Sequence, residues 1–223
     1  MRRALCALLV LLLAGCGGAG DEAGTATLWV TRDRGTELLL EAKVPAGQTL
    51  MRALASEVEI ETRYGGRFLQ SAVGLQGSLR AQRDWFWFVN GYEGDRSATE
   101  YRLRDGDVAW WDYRSWERDG ETRVVVGAFP EPFLHGYDGN TRSAVVRYAA
   151  SVKYVLARQL AADIGARSVE PLGTPVPAGA NVLEIRAGEP HLSAELLGES
   201  AGDPVRFRWR GVPTTYARRY RVP

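Results

Sequence analysis

The chain has 223 residues, and its 28 lysines and arginines nearly balance its 27 aspartates and glutamates, which leaves a formal net charge of +1. This balance excludes the basic excess typical of nucleic-acid-binding proteins, so we predict no nucleic-acid partner. The length is sufficient for two small domains or one larger one. Of the two cysteines, Cys6 falls in an N-terminal segment that we predict to be removed and Cys16 is predicted to be modified, so the stability has to come from burial of apolar side chains.

The N-terminal residues have the layout of an export signal. Arg2 and Arg3 precede a short apolar run, as in a secretory signal peptide, which we place over residues 1–15. The quartet L-A-G-C, ending at Cys16, matches the bacterial lipobox, in which cleavage exposes a cysteine that then carries diacylglycerol. We therefore predict a lipid on Cys16, a flexible tether over residues 16–25 and an extracytoplasmic location, anchored to the bacterial cell membrane. The alternative is an ordinary signal peptide with an incidental cysteine.

The next part of the chain predicts a hairpin, a helix and further strands. Residues 26–32 and 37–44 are typical of two strands joined by a polar turn. Thr49 is placed to cap a helix over residues 50–58, where apolar side chains recur at spacings of three and four. A short strand over residues 59–63 and a glycine-rich segment come before the aromatic strands. This order of elements is that of a β-grasp, a small mixed sheet wrapped on one helix.

Residues 84–113 form an aromatic stretch that contains four of the seven tryptophans. Successive side chains of a strand point to opposite faces, so Trp85 and Trp87 share one face while Phe86 and Phe88 share the other. Both faces are apolar, and each therefore needs a cover. The helix is expected to cover one face, and either more of this chain or a ligand the other.

Two motifs in this stretch carry a resemblance to a known family. The first motif is W-F-W-F-V-N-G-Y, and the second is Y-R-L-R-D-G-D followed by V-A-W-W-D-Y. Both resemble the family related to the C-terminal domain of transcobalamin. The resemblance implies a soluble-ligand-binding β-grasp domain over residues 26–123, with a corrinoid-like or other planar small molecule as the implied ligand. The helical barrel that holds most of the corrinoid in transcobalamins has no counterpart in this chain. Asn90-Gly91 and Asp105-Gly106-Asp107 are predicted to be turns, the latter in preference to a calcium loop.

Residues 124–223 are predicted to form a second small α+β domain of unassigned family, with one long helix on a mostly antiparallel sheet. We expect a buried strand over residues 124–129 and a turn-rich loop over residues 130–139. The long helix is predicted over residues 143–164, where apolar side chains again recur at spacings of three and four. Further strands are predicted at residues 168–170, 181–186 and 204–209. The last of these alternates arginine with apolar residues, so its arginines could bind an anion or simply face solvent.

The candidate binding residues are mostly aromatic. Trp110 and Trp111 are consecutive in a strand, so one indole faces the core while the other could line a platform for a planar ligand or pack against the second domain. His135 lies among aromatic residues, but no paired ligand spacing supports a metal role, and we predict no metal site and no cofactor. The predicted ligand-binding residues are Tyr92, Trp110, Trp111, Tyr113, Phe133, His135 and Tyr137.

No catalytic motif is present, neither G-x-S-x-G nor H-E-x-x-H, nor a phosphate-binding loop or dinucleotide fingerprint. The carboxylates Asp84, Glu93, Asp95 and Asp112 cluster around the aromatic stretch, as in some carbohydrate-active proteins. We predict a non-enzymatic surface lipoprotein that binds a ligand or partner, with an importer or another surface protein as a candidate partner. Two alternatives stay open, a structural or assembly lipoprotein without a small ligand and a carbohydrate-binding module.

Overall fold

The computed structural model describes residues 24–117 and 122–211, so the predicted signal peptide, Cys16 and most of the predicted tether lie outside the described residues. The fold is α+β, as predicted, with strands in three sheets and few helices. None of the helices in the described ranges has the length and apolar character needed to cross a membrane. The elements of the first range are β1 (Thr25–Arg32), β2 (Glu37–Pro45), α1 (Leu50–Glu57), β3 (Ile60–Arg63), β4 (Phe68–Ala72), β5 (Leu75–Gln76), β6 (Arg83–Val89), β7 (Tyr92–Glu93) and β8 (Val108–Ser115).

The first sheet has the strand order β2-β1-β8-β6-β7. β1 and β2 form the predicted hairpin, β1 runs parallel to β8, and β8 is antiparallel to β6. The predicted Asn90-Gly91 turn joins β6 to β7, with φ values of 50° and 86°. Positive φ at both central residues is what a tight two-residue hairpin turn requires. A separate antiparallel sheet of order β3-β4-β5 forms in and around the glycine-rich segment, for which only one strand is predicted.

Helix α1 begins where the sequence predicts. Thr49 Oγ1 accepts a hydrogen bond from the Arg52 backbone N–H over 3.3 Å, which satisfies one of the free donors of the first turn. Leu50, Met51 and Leu54 are buried in the core that also contains the aromatic strands. The helix therefore covers one face of the first sheet.

The two faces of the aromatic strands are covered by different parts of the chain, as the alternation predicts. Trp85 and Trp111 belong to the core that contains α1. On the opposite face Phe88 and Trp110 stack with their ring centroids 4.6 Å apart. Val125 packs against this stacked pair, so the second part of the chain supplies the second cover.

The second described range contains a 3-10 helix (Val126–Ala128), α2 (Glu131–Leu134), β9 (Ala144–Tyr148), α3 (Tyr154–Asp163), β10 (Ser168–Pro171), β11 (Asn181–Arg186), β12 (His191–Leu196) and β13 (Val205–Arg210). The predicted strand over residues 124–129 is therefore wrong, and α2 occupies part of the predicted loop. The Val125 N–H donates to Gly91 O over 2.8 Å, so this segment docks on the β6–β7 turn. The strand prediction failed because a short apolar run has no periodicity that distinguishes a strand from a helical turn.

The second sheet has the order β10-β9-β11-β13-β12, and only the β12–β13 pair is antiparallel. The prediction of a mostly antiparallel sheet is wrong, and so is the single long helix over residues 143–164. Val145 and Val146 lie in β9, an interior strand that is buried on both faces. Its apolar residues therefore do not alternate with polar ones, and their spacing resembles that of a helix. Helix α3 is the crossover that joins β9 to β10, as parallel pairing requires.

Two of the three arginines of β13, Arg206 and Arg208, are paired with carboxylates of the same sheet, and Arg210 donates to Glu189 O over 3.1 Å. Glu195 lies 2.8 Å from both Arg206 and Arg208, and Glu184 lies 3.3 Å from Arg206 and 3.6 Å from Arg208. Burial acts to raise the pKa of Glu195, but hydrogen bonds from Arg208 and Arg206 outweigh it and hold that pKa below its ordinary value. This stripe is therefore largely neutralised within the sheet, which favours the solvent-facing interpretation.

Candidate ligand-binding cleft

A solvent-open cleft lies in the first part of the chain, beside the face of the aromatic strands that α1 covers. Its volume is 510 Å³, and Trp85, Trp87 and Trp111 line it. Phe68 and Leu79, which are 40% and 79% exposed, also line the cleft and form its rim. Small-molecule pockets commonly have volumes of about 300–1,000 Å³ and mostly apolar walls. The cleft therefore has the size and lining of a ligand site.

The strand register brings the indoles together. Trp87 pairs with Trp111 across β6 and β8, and Trp85 pairs with Tyr113. The rings of Trp85 and Tyr113 have centroids 5.3 Å apart. The Trp85 indole N–H donates to Leu75 O over 3.3 Å, which ties the three-stranded sheet to the aromatic strands. The cleft wall is therefore held by both sheets.

Gly94 allows the backbone after β7 to lie against the Trp87 ring. A Cβ atom at Gly94 would lie 2.1 Å from Cε2 of Trp87, which is too close for any residue with a side chain to fit there without a shift of the ring. The Gly94 N–H also donates to Trp87 O over 3.0 Å. On its other side the Trp87 ring packs with Tyr101, with centroids 5.6 Å apart. These contacts fix the ring while leaving it half-buried at the cleft.

Two arginines line the cleft beside the indoles, and both have acidic partners. Arg96 pairs with Asp95 over 2.8 Å and with Asp138 over 3.2 Å. Arg67 pairs with Glu100. Their guanidinium groups can still donate to a ligand, because each guanidinium has five N–H donors.

Asp84 is the acidic side chain among the described residues that line the cleft. Burial raises the pKa of Asp84 above its ordinary value, although the Trp85 backbone N–H donates to its Oδ1 over 2.9 Å and acts in the opposite direction. The site thus combines a mainly apolar wall with polar groups of both signs.

The Trp111 indole N–H is buried and has no hydrogen-bond acceptor among the described residues. The residue as a whole is only 2% exposed. Two neighbouring indoles differ in this respect, because Trp85 donates to Leu75 O and Trp110 donates to Thr31 Oγ1 over 2.6 Å. Buried donors in folded proteins nearly always have a partner, so this donor in the wall of the cleft is an exception.

The structure distributes the seven predicted ligand-binding residues over several environments. Trp111 is the only one of them among the described residues that line the cleft. Tyr92 and Tyr137 pack with centroids 5.7 Å apart, and Phe133 packs on Phe207 with centroids 5.4 Å apart. Tyr92, Phe133 and Tyr137 therefore lie in buried contacts that involve the second part of the chain and not on an open surface. All the predicted residues except His135 are buried.

His135 contacts a carboxylate of its own helix turn. Its Nδ1 lies 2.5 Å from Glu131 Oε2, and this hydrogen bond raises the pKa of His135. Asp138, which is close to His135 in the chain, pairs with Arg96 and Arg104. Within residues 24–117 and 122–211, no group of three or more His, Cys, Asp or Glu side chains is placed to hold a metal ion.

The four carboxylates that cluster in sequence do not share one site. Asp84 lines the tryptophan cleft, whereas Glu93 and Asp95 line a separate cleft of 240 Å³ between the two parts of the chain. Asp112 is fully buried on the opposite face of the first sheet, where Thr31 Oγ1 donates to it over 2.6 Å. The described lining of the tryptophan cleft therefore contains one of these four carboxylates, Asp84.

Several cleft residues carry no signal in the sequence analysis. Phe68 and Leu79 lie in or near the glycine-rich segment, and Arg67 and Arg96 are two among many arginines. Trp116 lies just after the aromatic stretch and also lines the cleft. An aromatic residue in a glycine-rich segment is a weak signal that could have indicated Phe68, because loops often carry binding residues.

Residues 47–115 match the family described as Domain of unknown function (DUF4430). The match begins just before α1 and ends with β8, so it includes Trp85, Trp87 and Trp111 of the cleft wall. It covers the residues that resemble the transcobalamin-related family.

The solved structures that are similar to this chain include the following two. One is a proposed metal binding protein from Ruminococcus gnavus ATCC 29149, with 21% identity and a TM-score of 0.36, over 41% of this chain and 97% of that chain. The other is haptocorrin in complex with Cbi, with 16% identity and a TM-score of 0.36, over 42% of this chain and 25% of that chain. The similarity thus spans a quarter of the haptocorrin chain. No curated protein sequence matches this chain.

Proposed function

We propose that this protein binds a flat, largely apolar ligand in the cleft lined by Trp85, Trp87 and Trp111, without acting as an enzyme. The observation that supports this most directly is the convergence of four indoles, those of Trp85, Trp87, Trp111 and Trp116, on one open cleft of 510 Å³. Indole rings bury a large apolar area and stack on flat molecules at little conformational cost. Binding of this kind requires no covalent chemistry from any side chain in the cleft.

A corrinoid-like or other planar cofactor is the ligand class that we propose first. The strand order β2-β1-β8-β6-β7, with a parallel central pair and α1 over one face, supports assignment of residues 26–123 to the β-grasp class. The aromatic parts of the motifs that resemble the transcobalamin C-terminal domain lie on β6 and β8, and these strands supply Trp85, Trp87 and Trp111. An open cleft would take one edge of such a macrocycle and leave the remainder accessible to a partner.

We further propose that a lipid on Cys16 holds the protein at the outer face of the bacterial cell membrane, where it presents its ligand to an importer or another surface protein. The L-A-G-C motif supports the anchor. Fractionation of cells that express the wild-type chain or Cys16→Ser tests it. The wild type should sediment with membranes and the variant should appear in the soluble exported fraction, whereas identical distributions would refute the anchor.

The ligand proposal is tested by a fluorescence titration with cobinamide, using the full chain with Cys16→Ser to avoid detergent. Saturable quenching of tryptophan emission at tens of micromolar is expected. Phe68→Ala and Leu79→Ala, both at the exposed rim, should each weaken binding about 3- to 10-fold, because each removes apolar contact worth about 1 kcal/mol. Leu192→Ala is the matched control, an exposed leucine on β12 outside the cleft. A titration without a saturable change would exclude the corrinoid class.

Asp84 in the same cleft favours carbohydrate binding as a second candidate. Sugar rings stack on indoles, and their hydroxyl groups hydrogen-bond to carboxyl groups such as that of Asp84. A glycan array probed with the wild type and with Trp87→Ala tests this candidate. Glycan signals that disappear in the variant would support it. Failure of both the corrinoid and the glycan experiments would leave a structural or assembly role.

A further inference from the structure

We infer that the Trp111 indole N–H donates a hydrogen bond to an oxygen atom of the ligand, so that the cleft selects flat apolar ring systems that carry a carbonyl or carboxylate group. This inference rests on the proposed function, because it concerns the ligand of the same cleft. It narrows the ligand class from any flat apolar molecule to one with an acceptor on its ring.

The first argument is the state of the donor. Trp111 is 2% exposed, and its Nε1 has no acceptor in residues 24–117 and 122–211. A buried donor without a partner is unfavourable, because it has lost its hydrogen bonds to water and gained none in return. The adjacent residue, Trp110, shows the usual outcome, since its Nε1 donates to Thr31 Oγ1 over 2.6 Å.

The second argument is the position of the donor. Trp111 is the cross-strand partner of Trp87, and both residues line the cleft. A ring that stacks on the half-buried Trp87 side chain would lie next to its cross-strand partner Trp111, whose buried Nε1 comes within reach when the indole turns toward the cleft. An oxygen on that ring would supply the acceptor that the protein lacks there.

The third argument is the polar balance of the cleft. Arg67 and Arg96 line it together with Trp111, and these three residues offer N–H donors. Asp84 is the acidic residue in the described lining. The two cationic side chains of the described lining therefore outnumber its one acidic side chain, which favours a ligand rich in acceptor atoms over a cationic ligand held by the aromatic rings alone.

A set of small flat probes tests the inference on the unaltered cleft. Isothermal titration calorimetry of the full chain with Cys16→Ser would compare 2-acetylnaphthalene, naphthalene-2-carboxylate and 2-ethylnaphthalene, which share one ring system and differ in the acceptor. The acetyl and carboxylate probes should bind about 3- to 10-fold more tightly than the ethyl probe, the range expected for one hydrogen bond. Tighter binding of the carboxylate than of the acetyl probe would add a contribution from the arginines. Equal affinities, or tightest binding by a trimethylammonium-naphthalene probe, would overturn the inference.

A pair of tryptophan variants locates the effect. Trp111→Phe keeps a ring but removes the N–H, so the preference for the acetyl over the ethyl probe should fall to less than about 2-fold. Trp110→Phe is the matched control, because Trp110 lies on the opposite face of the same strand and should keep the preference. An unchanged preference in a folded Trp111→Phe variant would contradict the inference. If that variant does not fold, as judged by near-ultraviolet circular dichroism, the probe series on the unaltered cleft decides.

The two possible failures are distinguishable. If none of the naphthalene probes, corrinoids or glycans binds, the proposed function fails. If the probes bind at the cleft without regard to the acceptor, the proposed function stands and only the role of Trp111 fails.

Discussion

Asn90 and Asp107 join two turns of the first sheet through a buried hydrogen bond, in which the Asn90 side-chain N–H donates to Asp107 Oδ1 over 2.7 Å. The same nitrogen donates to Gly136 O over 2.9 Å, and Asn90 Oδ1 accepts from the Val108 backbone N–H over 2.8 Å. Asn90 is fully buried, so water does not compete for these bonds. One side chain therefore connects the β6–β7 turn, the start of β8 and the second part of the chain.

Asn90→Ala should lower the free energy of unfolding by about 2–4 kcal/mol, because it leaves Asp107, Gly136 O and the Val108 N–H short of a partner. Alanine also tolerates the positive φ of this turn poorly. Urea unfolding measures the change. Asn140→Ala, in an exposed turn, is the control and should change the free energy by less than about 0.5 kcal/mol. An equal effect of the two substitutions would show that the buried network adds nothing to stability.

The Glu131–His135 contact should make stability fall as the pH rises above neutrality. The hydrogen bond from Glu131 raises the pKa of His135, burial opposes this, and Asp107 and Asp105 add to the rise. A group with a raised folded-state pKa stabilises fully below its unfolded pKa of about 6.5, and the contribution is lost as the pH rises through the folded pKa. His135 has a side chain that is 37% exposed, so we expect a loss below about 1 kcal/mol.

The measurement is the difference in free energy of unfolding between the wild type and Glu131→Gln from about pH 6 to pH 9, the window above the ordinary histidine pKa. The difference should shrink as the pH rises. A difference that stays constant or grows over this window would contradict the assignment.

Gly94→Ala should displace the Trp87 ring, because the new Cβ would lie 2.1 Å from its Cε2 atom. Overpacking of this kind costs about 1–3 kcal/mol, and the displaced ring should also weaken binding in the cleft. Near-ultraviolet circular dichroism reports the altered tryptophan environment, and urea unfolding reports the cost. An unchanged spectrum together with unchanged stability would mean that Trp87 is not fixed by this contact.

Arg147→Met should lower the free energy of unfolding by about 2–4 kcal/mol, because it removes buried charged donors from several acceptors. Arg147 is 3% exposed, and it donates to Thr174 O over 3.0 Å and to Pro175 O over 2.6 Å. Arg158→Met on the exposed face of α3 is the control, and its effect should stay within about 0.5 kcal/mol. Thermal unfolding of both variants provides the comparison, and similar midpoints would contradict the prediction.

The sequence by itself determined the features that depend on local chemistry. The Thr49 cap, the β1–β2 hairpin and the Asn90-Gly91 turn each follow from a few neighbouring residues whose backbone preferences are strong. The alternation of Trp85 and Phe86 also follows from neighbours, because strand side chains have a fixed period of two. These features depend on neighbouring residues and form whenever the strand or helix that contains them forms.

Only the tertiary structure decided where apolar side chains meet water and which strands become neighbours. Trp110 and Trp111 have almost the same sequence context, yet the pairing of β8 with β1 and β6 places one against Val125 and the other in the wall of the cleft. The valines of β9 were equally compatible with a helix, and only the pairing of β9 with β10 on one edge and with β11 on the other made this segment an interior strand. Exposure and strand partners depend on contacts between residues far apart in the chain, and local residue patterns do not contain that information.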